Sequence, residues 1–326
     1  MNRLGLTLAV GDYDHTRDVS TGRVPVQGVD LTALNLRPEE MFFRFTFFRE
    51  WDVSEMSMGK YVSLRSQEDT SLTAIPVFPS RAFRHSMIYV REGGKLARAE
   101  QLKGKRIGVP EWAQTAAIYS RGYLVHEAKV PLESVEWIQA GVNEAGRVEK
   151  VKLNLPRGVN YRAEPGRSLT DMLLAGDIDA VLSARPPSAL GRGIERLFPD
   201  YETVEEAYFK KTGIFPIMHV IVIKSEVLEC HPWLAMNLYK AFEEAKRRSI
   251  ERLADITVSA APLAWLAPCT DRMKHLFGDD FWPYGLEKNC VTLQAFVDFA
   301  YEQGVCHRHL DLEELFARQT LTSFKI

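Results

Sequence analysis

Short apolar runs of strand length recur along the chain, each closing on a polar turn that leads into a helical stretch. This alternation narrows the fold to α/β sheets, because each helix covers the sheet that its neighbouring strands build. Residues 4–10 (LGLTLAV), 29–36 (VDLTALNL), 53–56, 73–77 and 86–90 (SMIYV) read as strands. Between them, Pro38 with Glu39 and Glu40 marks a helix start, with proline near the first position and acids in the first turn. Phe42, Phe43, Phe45, Phe47 and Phe48 follow as an aromatic stretch read as core, and Ser57-Met58-Gly59 opens the next helix.

The pattern breaks at residues 91–95 (REGGK) and then restarts. Residues 107–110 (IGVP) form a strand, 115–129 a helix, 135–138 a strand and 141–167 a long polar segment. Ser168 can cap a short helix with Asp171 at its third position; Gly176 ends that helix, and residues 178–182 (IDAVL) form a buried strand. A third start comes at residues 217–223 (IMHVIVI), followed by a long helix opened by His231-Pro232-Trp233. Lys246-Arg247-Arg248 lie on that helix as a solvated face, and the chain from residue 265 onward reads as helical. Two restarts imply two lobes.

Charge and cysteine content exclude several classes of partner. Lys and Arg number 41 against 43 Asp and Glu, a net charge of −2. No long-range field therefore draws the chain to nucleic acid or to an anionic membrane. No apolar run nears the ~18 residues of a membrane span. Residues 1–10 are too short for a secretory signal and run straight into Gly11-Asp12-Tyr13-Asp14-His15. Cys230, Cys269, Cys290 and Cys306 are widely spaced and read as thiols in a reducing compartment, so a cytoplasmic protein is expected. The sequence holds no GxGxxG, GxxxxGK[ST] or GxSxG loop, which argues against nucleotide binding and α/β-hydrolase chemistry.

Several segments together resemble the type II periplasmic-binding-protein fold: the opening strand and polar turn, LKGKRIGVPEWAQT, the helix-Gly-Asp-Ile-Asp-Ala-Val unit and MHVIVIKSEVLECHPW. Within that fold, GDYDHTR at residues 11–17, SRAFRHS at 80–86, EWAQTA at 111–116, SARPP at 183–187 and FPIMH at 215–219 look like one branch, the 4,5-dihydroxyphthalate decarboxylase family. The resemblance covers nearly the whole chain. It implies two α/β lobes with a ligand cleft between them. The first lobe would be made of both chain ends, residues 1–92 and 205–326, and the second of residues 93–204 inserted between them. It also implies a carboxy-lyase acting on a hydroxylated aromatic acid.

The loops that carry the resemblance each lie at a strand end, where ligands bind in open α/β sheets. Arg81, Arg84 and Arg185 are candidate clamps for a dicarboxylate, since guanidinium forks pair with carboxylates in bidentate fashion. If residues 81–85 are helical, Arg81 and His85 share a face. Pro186-Pro187 would hold Arg185 extended. His15 sits among Asp12, Asp14 and Arg17, and carboxylate neighbours should raise its affinity for a proton, as a general acid needs. Decarboxylation requires a proton at the ring carbon and stabilisation of the electron-rich ring, so His15, His85 and His219, with Asp12, are the catalytic candidates. Arg17, Ser57 and Thr115 are candidate substrate contacts, the last two as helix starts that offer an anion site. Trp112 is a candidate ring-stacking residue. Each of these also has an ordinary structural reading as cap, core side chain or surface ion pair.

The expected partner is a small aromatic carboxylate, with no nucleic acid or membrane, and a homo-oligomer is compatible with the sequence. No organic cofactor is expected. A divalent metal held by His15, His85 and Asp12 stands as an alternative, as does a weaker site at Cys290, Cys306, His307 and His309. Competing functions on the same fold are a solute-binding protein, a dehydratase and a pyrimidine-precursor synthase.

Overall fold

The computed structural model describes residues 3–322. Along the chain, β1 (Leu4–Val10), α1 (Asp14–Ser20), β2 (Val29–Asn35), α2 (Pro38–Phe48), β3 (Val53–Ser57), α3 (Met58–Ser66) and β4 (Leu72–Ile75) come first. They are followed by β5 (Ile88–Arg91), β6 (Arg106–Val109), α4 (Thr115–His126), β7 (Glu136–Gly141), β8 (Asn160–Ser168), α5 (Leu169–Ala175), β9 (Ala180–Leu182) and β10 (Ile194–Arg196). The remainder comprises α6 (Tyr201–Thr212), β11 (His219–Lys224), α7 (Ser225–Cys230), α8 (Leu234–Ala254), α9 (Leu266–Phe277) and α10 (Cys290–Glu302).

These strands build two sheets, a five-stranded one in the order β2-β1-β3-β11-β4 and a six-stranded one in the order β10-β5-β9-β6-β7-β8. The chain crosses between them twice, after β4 and again after β10. β1 is parallel to β2 and β3, whereas β11 is antiparallel to both β3 and β4. An antiparallel strand starts where its parallel neighbours end. The first residue of β11, His219, therefore faces the last residue of β3, Ser57.

One strand falls in the other lobe from that expected. β5 pairs with β9 and β10 in the second sheet, although a boundary at residue 92 would leave it in the first. The glycine-containing stretch after it is a tight turn, with Gly94 N donating to Arg91 O at 3.1 Å, and not the crossing. Two further strands escaped the sequence reading. β8 edges the second sheet with mostly polar, exposed residues that carry no apolar pattern, and β10 spans three residues.

The first sheet's core includes Phe45 stacked on Trp51 and the buried β3, all five residues of which are inside. α8 turns Leu234, Leu238, Ala241, Phe242 and Ala245 inward, where truncating a Leu or Phe costs about 2–5 kcal/mol. Lys246 belongs to that inner face and not to a solvated one. It is 2% exposed, with Nζ 2.9 Å from both Glu243 and Asp280. Among the described residues, no helix is long and apolar enough to cross a membrane.

Candidate active site

Glu55 lies in the middle of β3, where a fully buried strand leaves it no access to water. Three donors surround its carboxylate. Gly11 N donates to Oε2 at 2.8 Å, Tyr13 Oη donates to Oε1 at 2.7 Å, and His219 Nδ1 lies 2.5 Å from Oε1. Burial alone would push Glu55 up, but His219, the Gly11 amide and the Tyr13 hydroxyl outweigh it and hold the carboxyl below its ordinary value. Tyr13 is driven the other way, by burial first and then by the Glu55 charge, so its phenol stays protonated. A Cβ on Gly11 would come 2.6 Å from the Tyr13 ring, so a larger residue there would displace the phenol from its place beside Glu55.

His219 packs against Phe42 in a T-shaped contact, with ring centroids 4.8 Å apart. His15 completes the near side, between Tyr13 at 5.4 Å and Trp282 at 5.1 Å. Its Nε2 lies 3.0 Å from Pro79 O. A carbonyl only accepts, so Nε2 carries the proton and Nδ1 is left as an acceptor. The expectation of an avid proton holder fails: burial outweighs the Pro79 carbonyl and the Glu55 and Asp14 charges, and lowers His15 to about 4. The neighbouring acids are engaged elsewhere. Asp12 accepts from Arg17 Nε at 2.9 Å, and Asp14 accepts from Ser249 Oγ at 2.6 Å and from Arg252 Nη2 at 3.1 Å. Asp12 and Arg17 form an exposed ion pair beside the site.

The two lobes meet at the starts of α3 and α4. Ser57 Oγ is 2.9 Å from Thr115 Oγ1, which also accepts from Gly59 N at 2.9 Å, and both side chains are buried. Neither hydroxyl caps its own helix. A Cβ on Gly59 would come 2.5 Å from Ala113 O, so only glycine allows this approach. Deeper in the seam, Lys60 Nζ lies 3.2 Å from the buried Glu111, which is also paired with Arg147 and Lys150 of the second lobe. At the exposed mouth, Arg185 Nη2 meets Glu39 at 2.6 Å, one residue from each lobe.

Four expected site residues serve other purposes. Arg81 is buried, with Nη1 donating to Phe215 O at 3.0 Å and Nη2 to Pro283 O at 2.7 Å and to Asn289 Oδ1, so its fork is not available to a carboxylate. Residues 81–85 are not helical. Arg81 forms a lone β-bridge with Ile217, and a single 3-10 turn begins at His85, so the two do not share a face. Arg84 Nε turns to Met218 Sδ at 3.1 Å, and burial lowers the guanidinium to about 10. His85 is buried among Tyr123, Tyr208 and Phe198. Trp112 is core: its Nε1 donates to Gln303 O at 2.7 Å, its ring edges onto Trp137 and Tyr161, and the Arg121 guanidinium covers it at 3.9 Å. Among the described residues, no three His, Cys, Asp or Glu side chains gather as a metal site would require. Neither the His15–His85–Asp12 set nor the Cys290–Cys306 set is assembled.

Sequence reasoning missed Glu55. The available signal was a carboxylate between Val53 and Met56 in a stretch read as a strand, since a charged residue that such a strand buries must have partners.

Two sheets meeting at a polar seam define a two-lobed α/β fold like that of the solute-binding proteins. The periplasmic aliphatic sulphonate binding protein SsuA of Escherichia coli superposes with a TM-score of 0.54 at 12% identity, covering 98% of this chain and 99% of that one. The desulfurization enzyme DSZB superposes at 0.53 with 16% identity and 98% coverage of both chains. No protein-family model matches the chain. The chain belongs to the 4,5-dihydroxyphthalate decarboxylase family: it is 38% identical over 331 residues to the 4,5-dihydroxyphthalate decarboxylase of Comamonas testosteroni, covering 100% of both. It is also 41% identical over 195 residues to that of Pseudomonas putida, covering 59% of this chain and 75% of the relative.

Proposed function

We propose that this protein decarboxylates 4,5-dihydroxyphthalate without oxidation, giving protocatechuate and CO2. The observation that carries the reading is the full-length kinship with a 4,5-dihydroxyphthalate decarboxylase at 38% identity. The site chemistry agrees with it. In this substrate each carboxylate has a hydroxyl para to it, and electron density from that oxygen reaches the carbon that loses CO2. His15 Nδ1 accepts the hydrogen bond of that hydroxyl. His219 Nε2 delivers a proton to the ring carbon as the carbon–carbon bond breaks and its electron pair stays with the ring. His219 then recovers its proton from water, so each turnover consumes one proton and needs no electron acceptor. Arg185 holds a substrate carboxylate after exchanging it for Glu39, and the Ser57–Thr115 contact closes the lobes over the ring. The catalytic work is assigned without an organic cofactor. Residence in the cytoplasm fits the four unpaired cysteines. A homo-oligomer would cover the exposed Phe43, Phe47 and Phe48 of α2.

The test is to incubate chelator-treated protein with 4,5-dihydroxyphthalate and to follow CO2 and protocatechuate. Turnover supports the reading. Turnover restored only by a divalent cation would bring back a metal-assisted route. Thermal stabilisation by the compound without turnover would favour a solute-binding protein, and neither response would remove the substrate assignment.

A further inference from the structure

Resting on the proton-donor role proposed for His219, we infer that Glu55 is the positioning residue of the reaction. It fixes the His219 imidazole with the proton on Nδ1, so that Nε2 is the atom that carries and delivers the reacting proton. An ionised carboxylate only accepts, so all three groups that touch Glu55 must donate to it: the Gly11 amide, the Tyr13 hydroxyl and His219 Nδ1–H. That arrangement leaves the imidazole one tautomer when neutral, and it places an anion beside it when Nε2 is also protonated. Register fixes the geometry. His219 faces Ser57 across the β11–β3 ladder, and Glu55 lies two residues before Ser57 on the same face of the sheet. The carboxylate is itself held by Gly11, the residue after β1, and by Tyr13 of the same turn, so it cannot rotate away from the imidazole. Glu55 is fully buried and reaches no substrate directly, so its effect passes through His219.

The wild-type protein, labelled with 15N-histidine, provides the first measurement. His219 should give an Nδ1–H tautomer with a far-downfield ring proton, and both signals should vanish in His219→Ala. An Nε2–H tautomer would overturn the proposal. Next, Glu55→Gln keeps the shape and removes the charge. It should lower kcat about 10²- to 10⁴-fold, the usual worth of positioned proton transfer, with little change in KM. Glu55→Asp should recover part of kcat. An undiminished kcat in Glu55→Gln, or a loss confined to KM, would overturn the proposal. If Glu55→Gln does not fold, the wild-type spectrum decides. If the wild type does not turn over 4,5-dihydroxyphthalate and the spectrum shows the Nδ1–H tautomer, the substrate reading fails while Glu55 keeps its place.

Discussion

Acid should loosen this protein through His85, by an amount that follows from its surroundings. His85 is 4% exposed, and neither ring nitrogen has a hydrogen-bond partner. The void beside it, lined by Arg84, Tyr119, Ser120, Tyr123, Tyr208 and Pro216, is only about 10 Å³, too small to hydrate an imidazolium. Burial accordingly lowers His85 from 6.5 to about 4, with the Glu127 charge opposing weakly. Between those values the unfolded chain binds a proton that the folded chain does not, so stability rises with pH across this window and is lost as pH falls through it. At ~1.36 kcal/mol per pH unit, the whole difference is worth roughly 3 kcal/mol below pH 4, and about 2 kcal/mol is already lost on going from pH 7 to pH 5. Glu205 lies 4.0 Å away and is raised by burial, so it works in the opposite sense. His15 adds a loss of the same kind. Replacing His85 by leucine removes one titration and leaves the others. Urea unfolding of wild type and His85→Leu at pH 7 and pH 5 should give a double difference of ~2 kcal/mol, with the variant losing less. Equal losses in the two proteins would refute the reasoning.

Three further outcomes are expected. Gly59→Ala places a Cβ 2.5 Å from Ala113 O, so the lobes should stay apart: the radius of gyration with ligand should exceed that of wild type and kcat should fall, whereas unchanged closure would contradict the seam as described. Arg185→Ala should raise KM about tenfold and leave kcat nearly unchanged, the effect of one charge-assisted bond at an exposed site, and an unaltered KM would remove it as a carboxylate anchor. His219→Ala should cost about 10²- to 10⁴-fold in kcat while the protein still binds 4,5-dihydroxyphthalate. His15→Ala should cost less, because it holds a hydroxyl and does not deliver the proton. A larger loss for His15→Ala in side-by-side kinetics would reverse the two roles.

Much of the architecture was legible because β strands in α/β folds write their burial into the sequence. Runs such as LGLTLAV and IMHVIVI announced β1 and β11, and Ser168 does accept from the Asp171 amide while Gly176 ends α5 with a positive φ of 80°. β8 was silent because an exposed edge strand needs no apolar face. Lobe membership of β5 was hidden too, since a crossing is decided by which strand a segment pairs with, and its own composition says little. Charged site residues were the least legible. Arg81, Arg84 and Arg185 look alike in sequence, yet one is consumed by backbone carbonyls, one is turned to a methionine sulfur and one is left at the mouth. Glu55 passed as part of a strand, because its three partners come from segments distant in the chain.

The position of β11 has a consequence for how the molecule is made. It lies between β3 and β4, so two strands that leave the ribosome close together cannot complete their sheet until residues 219–224 have also emerged. The second sheet has no such debt: residues 88–196 hold all six of its strands in one continuous stretch. Nascent chains usually fold from the amino end, but here the second sheet is the first that can pair all its strands, and the amino-terminal strands must wait with β3 unpaired along one edge. Glu55 and His219 come together only at that last pairing, so a chain halted before β11 would hold every strand of the second sheet and no Glu55–His219 contact.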